Sequence, residues 1–178
     1  MRLLILRHAK SARPPATDDF DRPLCEEGRA AAPLIGNWMS ARAIEPALVL
    51  CSSARRSKDT LALVLPHFRS DPEIRFEPGL YLAGVPSLLQ TVRATAPKSP
   101  LMLVGHNPGL QEFGLAVLNS HQPGDATKRA GEFARKFPTA GLAVIDFTIH
   151  EWQALKPGLG ILADFVRPKT LLHDQEKR

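Results

Sequence analysis

Near the amino end, the branched apolar run Leu3–Leu6 breaks at once into the pair Arg7-His8, within the stretch LLILRHAKS. A short apolar run bounded by polar residues reads as a buried strand. Strands covered on both faces are the mark of parallel sheets. Arg7 and His8 then fall just past a strand's carboxyl end, where open α/β sheets keep their ligand crevices. Arginine offers a planar fork that suits phosphate, and a neutral histidine offers a nitrogen nucleophile.

The same pattern recurs along the chain. Strands are expected at Leu3–Leu6, Ala47–Cys51, Leu101–Val104, Leu142–Phe147 and Leu159–Phe165, with Ile74–Phe76 a weaker candidate. Helical stripes at i, i+3, i+4 spacing alternate with them. They run through Ala31, Leu34, Ile35, Trp38 and Met39; through Leu61, Val64, Leu65 and Phe68; through Leu88, Leu89, Val92 and Ala96; and through Leu110, Phe113, Gly114, Val117 and Leu118. Pro33 either sits in the first turn of its helix or kinks it, Pro66 cuts the second helix short, and Pro86 starts the third. Alternating strands and helices predict a three-layer α/β/α fold, with a mostly parallel central sheet and helices on both faces. The last two strands, close together around Trp152, predict an antiparallel pair at one edge. The polar stretch from His121 to Thr139 reads as an irregular connection, long enough to be functional and placed to cover part of the crevice. The closing HDQEKR reads as a frayed tail.

With 178 residues, 44% of them hydrophobic, the chain suits one domain spanning 1–178 with a real core. No stretch approaches the roughly 20 apolar residues of a membrane span, and the opening run is too short for a signal-peptide core. A cytoplasmic location is expected. The two cysteines, Cys25 and Cys51, lack close spacing, and the six histidines form no metal-ligand pattern. Neither a disulfide framework nor a metal or other cofactor is implied. The net charge of +5 comes from dispersed Lys and Arg with few aromatics between them. This favours anionic substrates over nucleic acid.

Two further segments repeat the opening theme. In LMLVGHNPGLQEF a strand ends at His106, with Asn107 a good N-cap and Pro108 a good first helical residue. In VLCSSARRSKDT, Ser52 and Ser53 are N-cap candidates, and Arg55 and Arg56 fall in the first helical turn. Cations there oppose the helix dipole, which points to a bound anion or a carboxylate partner. In a parallel sheet these strand ends share one edge. Two histidines and two arginines can then converge on one phosphoryl group, which needs positioning and charge stabilisation.

LRHAKS, SSARRSKDT and VGHNPGL together resemble the motifs of the histidine phosphatase superfamily, the phosphoglycerate mutase-like group, over nearly the whole chain. The segments DDFDRPLCEEG, KFPTAGLAV and DFVRP resemble its short bacterial branch, the phosphohistidine phosphatases of SixA type. The resemblance implies that His8 is the nucleophile and that Arg7 and Arg56 hold the phosphate. Arg56 rather than Arg55 is selected by its spacing from Ser52 and Thr60. It also implies that His106 donates to the phosphoryl oxygens. Departures from the family pattern are Ala9 for Gly, Ser53 for Pro, Cys25 for Ser or Thr, and Leu82 at a position often acidic in relatives. The last leaves the proton donor open. Asp19, three residues before Arg22, matches an acidic position of the short branch, and Glu77 is a second candidate.

The resemblance implies a metal-independent phosphatase with a phosphorylated His8 intermediate. Its expected substrate is phosphohistidine in a protein, such as a phosphorelay domain. A small phosphomonoester metabolite is the alternative, and a phosphate-binding module without turnover is a third reading. A mutase would have to keep water from the phosphoenzyme, and this chain has no large insertion with which to do so.

Overall fold

The computed structural model describes residues 1–176, with side-chain surroundings given for residues 1–172. Six strands form one sheet: β1 (Arg2–Arg7), β2 (Leu48–Ser52), β3 (Glu73–Glu77), β4 (Leu101–Gly105), β5 (Leu142–Asp146) and β6 (Ile161–Val166). Their spatial order is β3-β2-β4-β1-β5-β6. Strands β3, β2, β4 and β1 are mutually parallel. Strand β5 runs against both β1 and β6, so the expected antiparallel pair occupies one edge.

Alternation along each strand divides the core in two. Leu3 and Ile5 of β1 face one cluster, with Leu88 and Val92 of α3 (Val85–Arg93), Phe113 and Val117 of α4 (Gly109–Val117), and Phe133 of α5 (Asp125–Arg135). Leu4 and Leu6 face the other, with Ile35 and Met39 of α1 (Glu26–Ala41) and Leu61 and Val64 of α2 (Arg55–Val64). All four β1 leucine and isoleucine side chains are fully buried. Each contributes about 1.5–3 kcal/mol of burial energy, so register is strongly specified.

The connection leaving β1 passes over β4 to reach β2, whereas the one leaving β4 passes over β1 to reach β5. The chain therefore departs in opposite directions from two adjacent strands, and a crevice opens at their carboxyl ends.

Several local expectations are corrected. Residues 121–139 are not an irregular cover. Helix α5 occupies Asp125–Arg135, buries Ala126 and Phe133 and packs beside β6. Pro33 lies two turns inside α1, so the first-turn reading is excluded. Helix α4 begins at Gly109, with Pro108 as its N-cap residue, and the Asn107 side chain instead donates to Gln111 Oε1 and Phe137 O, both at 3.2 Å. Helix α2 is preceded by Ala54, not by a capping serine. Helix α6 (Pro168–Glu176) carries the backbone to Glu176, whereas composition suggests a frayed tail from His173; residues 177–178 lie outside the described residues.

Candidate active site

The ends of β1, β2 and β4 deliver the site. His8 follows β1 directly, and its backbone is tied on both sides. Its N–H donates to Gly105 O at 3.0 Å, and its carbonyl accepts from Ala140 N–H at 3.1 Å. The next N–H, of Ala9, donates to Thr60 Oγ1 at 2.9 Å, and the Thr60 hydroxyl donates to Arg56 O at 2.6 Å. The loop after β1 is thus coupled through a buried threonine to the first turn of α2.

The His8 imidazole is 7% exposed. Its Nδ1 lies 2.8 Å from Ala9 O. A carbonyl only accepts, so Nδ1 carries the proton and Nε2 keeps a lone pair. Arg56 Nε–H donates to that lone pair at 3.2 Å. Burial is the main force lowering the His8 pKa to about 4, with Arg56, Arg7 and Arg22 adding to it. The ring is neutral at physiological pH.

His106 follows β4 and stands with its ring centroid 5.0 Å from that of His8. Ser52 Oγ, at the end of β2 and two residues before Ala54 at the N-cap of α2, lies 2.8 Å from its Nε2. His106 Nδ1 is buried and has no partner among the described residues. Burial lowers the His106 pKa to about 3, with His8 and Arg56 adding to the effect.

Arg56 is 2% exposed. Besides His8, its guanidinium donates to Asp19 O and, at 3.0 Å, to Asp19 Oδ2. Asp19 lies on the loop between β1 and α1, whose ends are closed by Ala12 N–H to Pro23 O and Cys25 N–H to Lys10 O. The Tyr81 hydroxyl donates to Asp19 Oδ2 at 2.6 Å, and Arg22 Nε lies 3.1 Å from Oδ1. The Tyr81 hydrogen bond, aided by Arg56 and Arg22, holds the Asp19 carboxyl below the usual range. Arg7 donates from Nη1 to Phe137 O at 2.7 Å, while its Nε is buried without a partner among the described residues.

The structure therefore gathers Arg7, His8, Asp19, Arg56 and His106 on one open cleft of ≈ 380 Å³. Arg55 is not among them; it points outward and pairs with Asp59 at 3.7 Å. Glu77 lines a separate hollow with Arg75 and Gln90. Leu82, 56% exposed with φ +49°, forms part of the rim. Sequence reasoning passed over Tyr81, which sits edge-on to both His106 and Phe20. It is the chain's lone tyrosine and adjoins Leu82, the one signal that pointed there. Among the described residues no group of three His, Cys, Asp or Glu side chains is placed to hold a metal ion.

No family model matches the chain. An uncharacterized protein of Mycobacterium tuberculosis is 34% identical over 165 residues, 92% of this chain and all of that protein. A solved structure from Agrobacterium tumefaciens, assigned as the phosphohistidine phosphatase SixA, is 31% identical with a TM-score of 0.78, covering 94% of this chain and 97% of its own. A second structure so assigned, from Nakamurella, is 30% identical with a TM-score of 0.76, covering 94% and 95%. A mostly parallel sheet presenting two imidazoles and two guanidinium groups at one edge is the architecture of a histidine-dependent phosphoryl-transfer fold. The chain belongs to the histidine phosphatase superfamily, among its SixA-type phosphatases.

Proposed function

We propose that this protein removes phosphate from phosphohistidine carried by another protein, through a phosphoryl intermediate on His8. The observation that carries this reading is the protonation state of the cleft. His8 and His106 titrate near 4 and 3, and Asp19 is held ionised. No carboxyl or imidazole there rests protonated at neutral pH. A phosphoester needs such an acid to protonate its departing alkoxide. Phosphohistidine does not. With its second ring nitrogen protonated, the donor leaves as a neutral imidazole.

In the first step the His8 Nε2 lone pair attacks phosphorus, a P–Nε2 bond forms, and the donor's P–N bond breaks. The charge on the His8 ring rises by one as that on the donor ring falls, so no third group supplies a proton. Arg7, Arg56 and His106 Nδ1–H spread charge from the equatorial oxygens. Arg56 must release His8 Nε2 for this, and its Nε–H is then free for a phosphoryl oxygen. In the second step water attacks phosphorus and the P–Nε2 bond breaks. Phosphate leaves with the water's protons, and His8 is again neutral. Asp19 acts in this scheme as the carboxylate that sets Arg56 rather than as the acid.

The test is transfer of radiolabelled phosphate from a phosphorylated phosphorelay domain, compared with sugar phosphates and nucleotides. Acid-labile label on the protein, absent in His8→Ala, and faster turnover of phosphohistidine are expected. Faster hydrolysis of a phosphomonoester, or full activity of His8→Ala, refutes the reading.

A further inference from the structure

A second groove, of ≈ 370 Å³, runs beside the cleft and shares Lys10 and Thr139 with it. The phosphoryl chemistry does not use it. Its floor is apolar, built from Ala31 of α1 together with Pro138 and Pro168. Its rim is cationic, formed by Lys10, Lys136, Arg167 and Lys169, and Glu27 is the one carboxylate in the lining. Glu27 is already paired with Lys10, and Arg167 pairs with Glu132 at 2.9 Å. Lys136 and Lys169 are exposed and have no carboxylate partner among the described residues.

We propose that this groove docks an acidic, partly apolar segment of the protein that presents the phosphohistidine; the inference rests on the substrate reading above. Continuity is the first argument. A phosphoryl group on His8 places the polypeptide that bears it at the mouth of the cleft, and Lys10 and Thr139 lead from there into the groove. Charge is the second. The unpaired Lys136 and Lys169 beside an apolar floor complement carboxylates flanking apolar side chains, and such complementarity governs encounter rate and register more than chemistry. Lys136 and Lys169 line the groove and not the cleft, so a donor small enough to fit within the cleft is expected not to depend on them.

The charge reversal Lys136→Glu with Lys169→Glu, and separately the groove-filling Ala31→Trp, test this without touching the catalytic groups. Two donors are compared, a phosphorelay domain phosphorylated on histidine and phosphoramidate, a small P–N compound. Turnover of phosphoramidate is expected to stay within twofold of wild type in both variants. For the protein donor, kcat/KM is expected to fall 10- to 100-fold, carried by KM, and the charge reversal is expected to flatten its salt dependence. Unchanged kcat/KM for the protein donor overturns the docking proposal. So does an equal loss for both donors, or an equal loss for a nucleoside monophosphate, which would give the groove to small anions. A wild-type enzyme that cleaves phosphoramidate but no phosphohistidine protein refutes the substrate reading itself, a result visible before any variant is made.

Discussion

Replacing Ser52 with alanine is expected to reverse the tautomer of His106. The Ser52 side chain is fully buried, with its oxygen 2.8 Å from His106 Nε2. That oxygen also accepts from Ala54 N–H at 3.4 Å, so the hydroxyl proton is free to point at Nε2. With Nε2 accepting, the ring proton belongs on Nδ1, the atom left without a partner. Ser57 is the remaining hydroxyl, and at 3.5 Å it holds Nε2 only weakly. Loss of the Ser52 hydroxyl leaves a buried acceptor unsatisfied, at about 1–3 kcal/mol. The ring avoids part of this by moving its proton to Nε2, and Nδ1 then turns a lone pair toward the phosphoryl oxygens. Losing one preorganised donor to a developing charge costs about 10²–10³ in kcat. The expected result is a kcat lowered roughly 100-fold with the fold intact, recovered in part by Ser52→Thr. Nitrogen-15 spectra of labelled histidine read the tautomer directly. A Ser52→Ala enzyme that keeps kcat within threefold and retains Nδ1–H refutes the reasoning.

Arg56→Ala should abolish turnover while Arg55→Ala leaves it nearly unchanged, because Arg56 is buried against His8 and Arg55 is an exposed partner of Asp59; steady-state kinetics decide, and the reverse ranking refutes the site. Acid should destabilise the ligand-free protein. His8 and His106 titrate near 4 and 3 when folded and near 6.5 unfolded, so the unfolded chain binds more protons between those values. The stability contributed by these two rings then falls as pH drops below about 6.5 and is spent near 3, with His8 alone contributing on the order of 3 kcal/mol. Denaturant midpoints across that range should show a slope that His8→Ala reduces, and an unchanged slope in that variant would contradict the assignment. Gly109→Ala should destabilise the fold by about 3 kcal/mol, because its Cβ would stand 1.8 Å from Ala83 O, whereas Gly79→Ala, with nothing within 4 Å, should leave the thermal midpoint unchanged.

The centre of the sheet was legible because β1, β2, β4 and β5 are largely buried and read as apolar runs, whereas the edge strand β3, with no buried residue, gave only a weak signal. Leu3–Leu6 and Leu101–Val104 belong to both cores at once. Convergence of the site was legible because parallel strands share an edge. Helix α5 was not, since its buried stripe amounts to Ala126 and Phe133 among charged residues and Gly131. The capping rules failed at Ser52 and Asn107 because the helices start further on, after Ala54 and Pro108, leaving the Ser52 hydroxyl beside His106 and the Asn107 amide on Phe137 O. Most of the clamp on Asp19 was out of reach: Arg22 lies three residues on, but Arg56 and Tyr81 come from distant segments and no spacing links them to it.

The backbone of His8 is pinned by Gly105, Ala140 and, one residue on, Thr60. The nucleophile proposed at His8 therefore stands on a backbone held from both sides. Under that proposal the approach falls mainly to the visiting molecule, and the reach of its phosphorylated side chain from its own surface becomes a basis for selection. On the docking proposal, changes at Leu82 on the cleft rim or at Lys136 in the groove are expected to alter which donors are served while His8 and His106 stay in place.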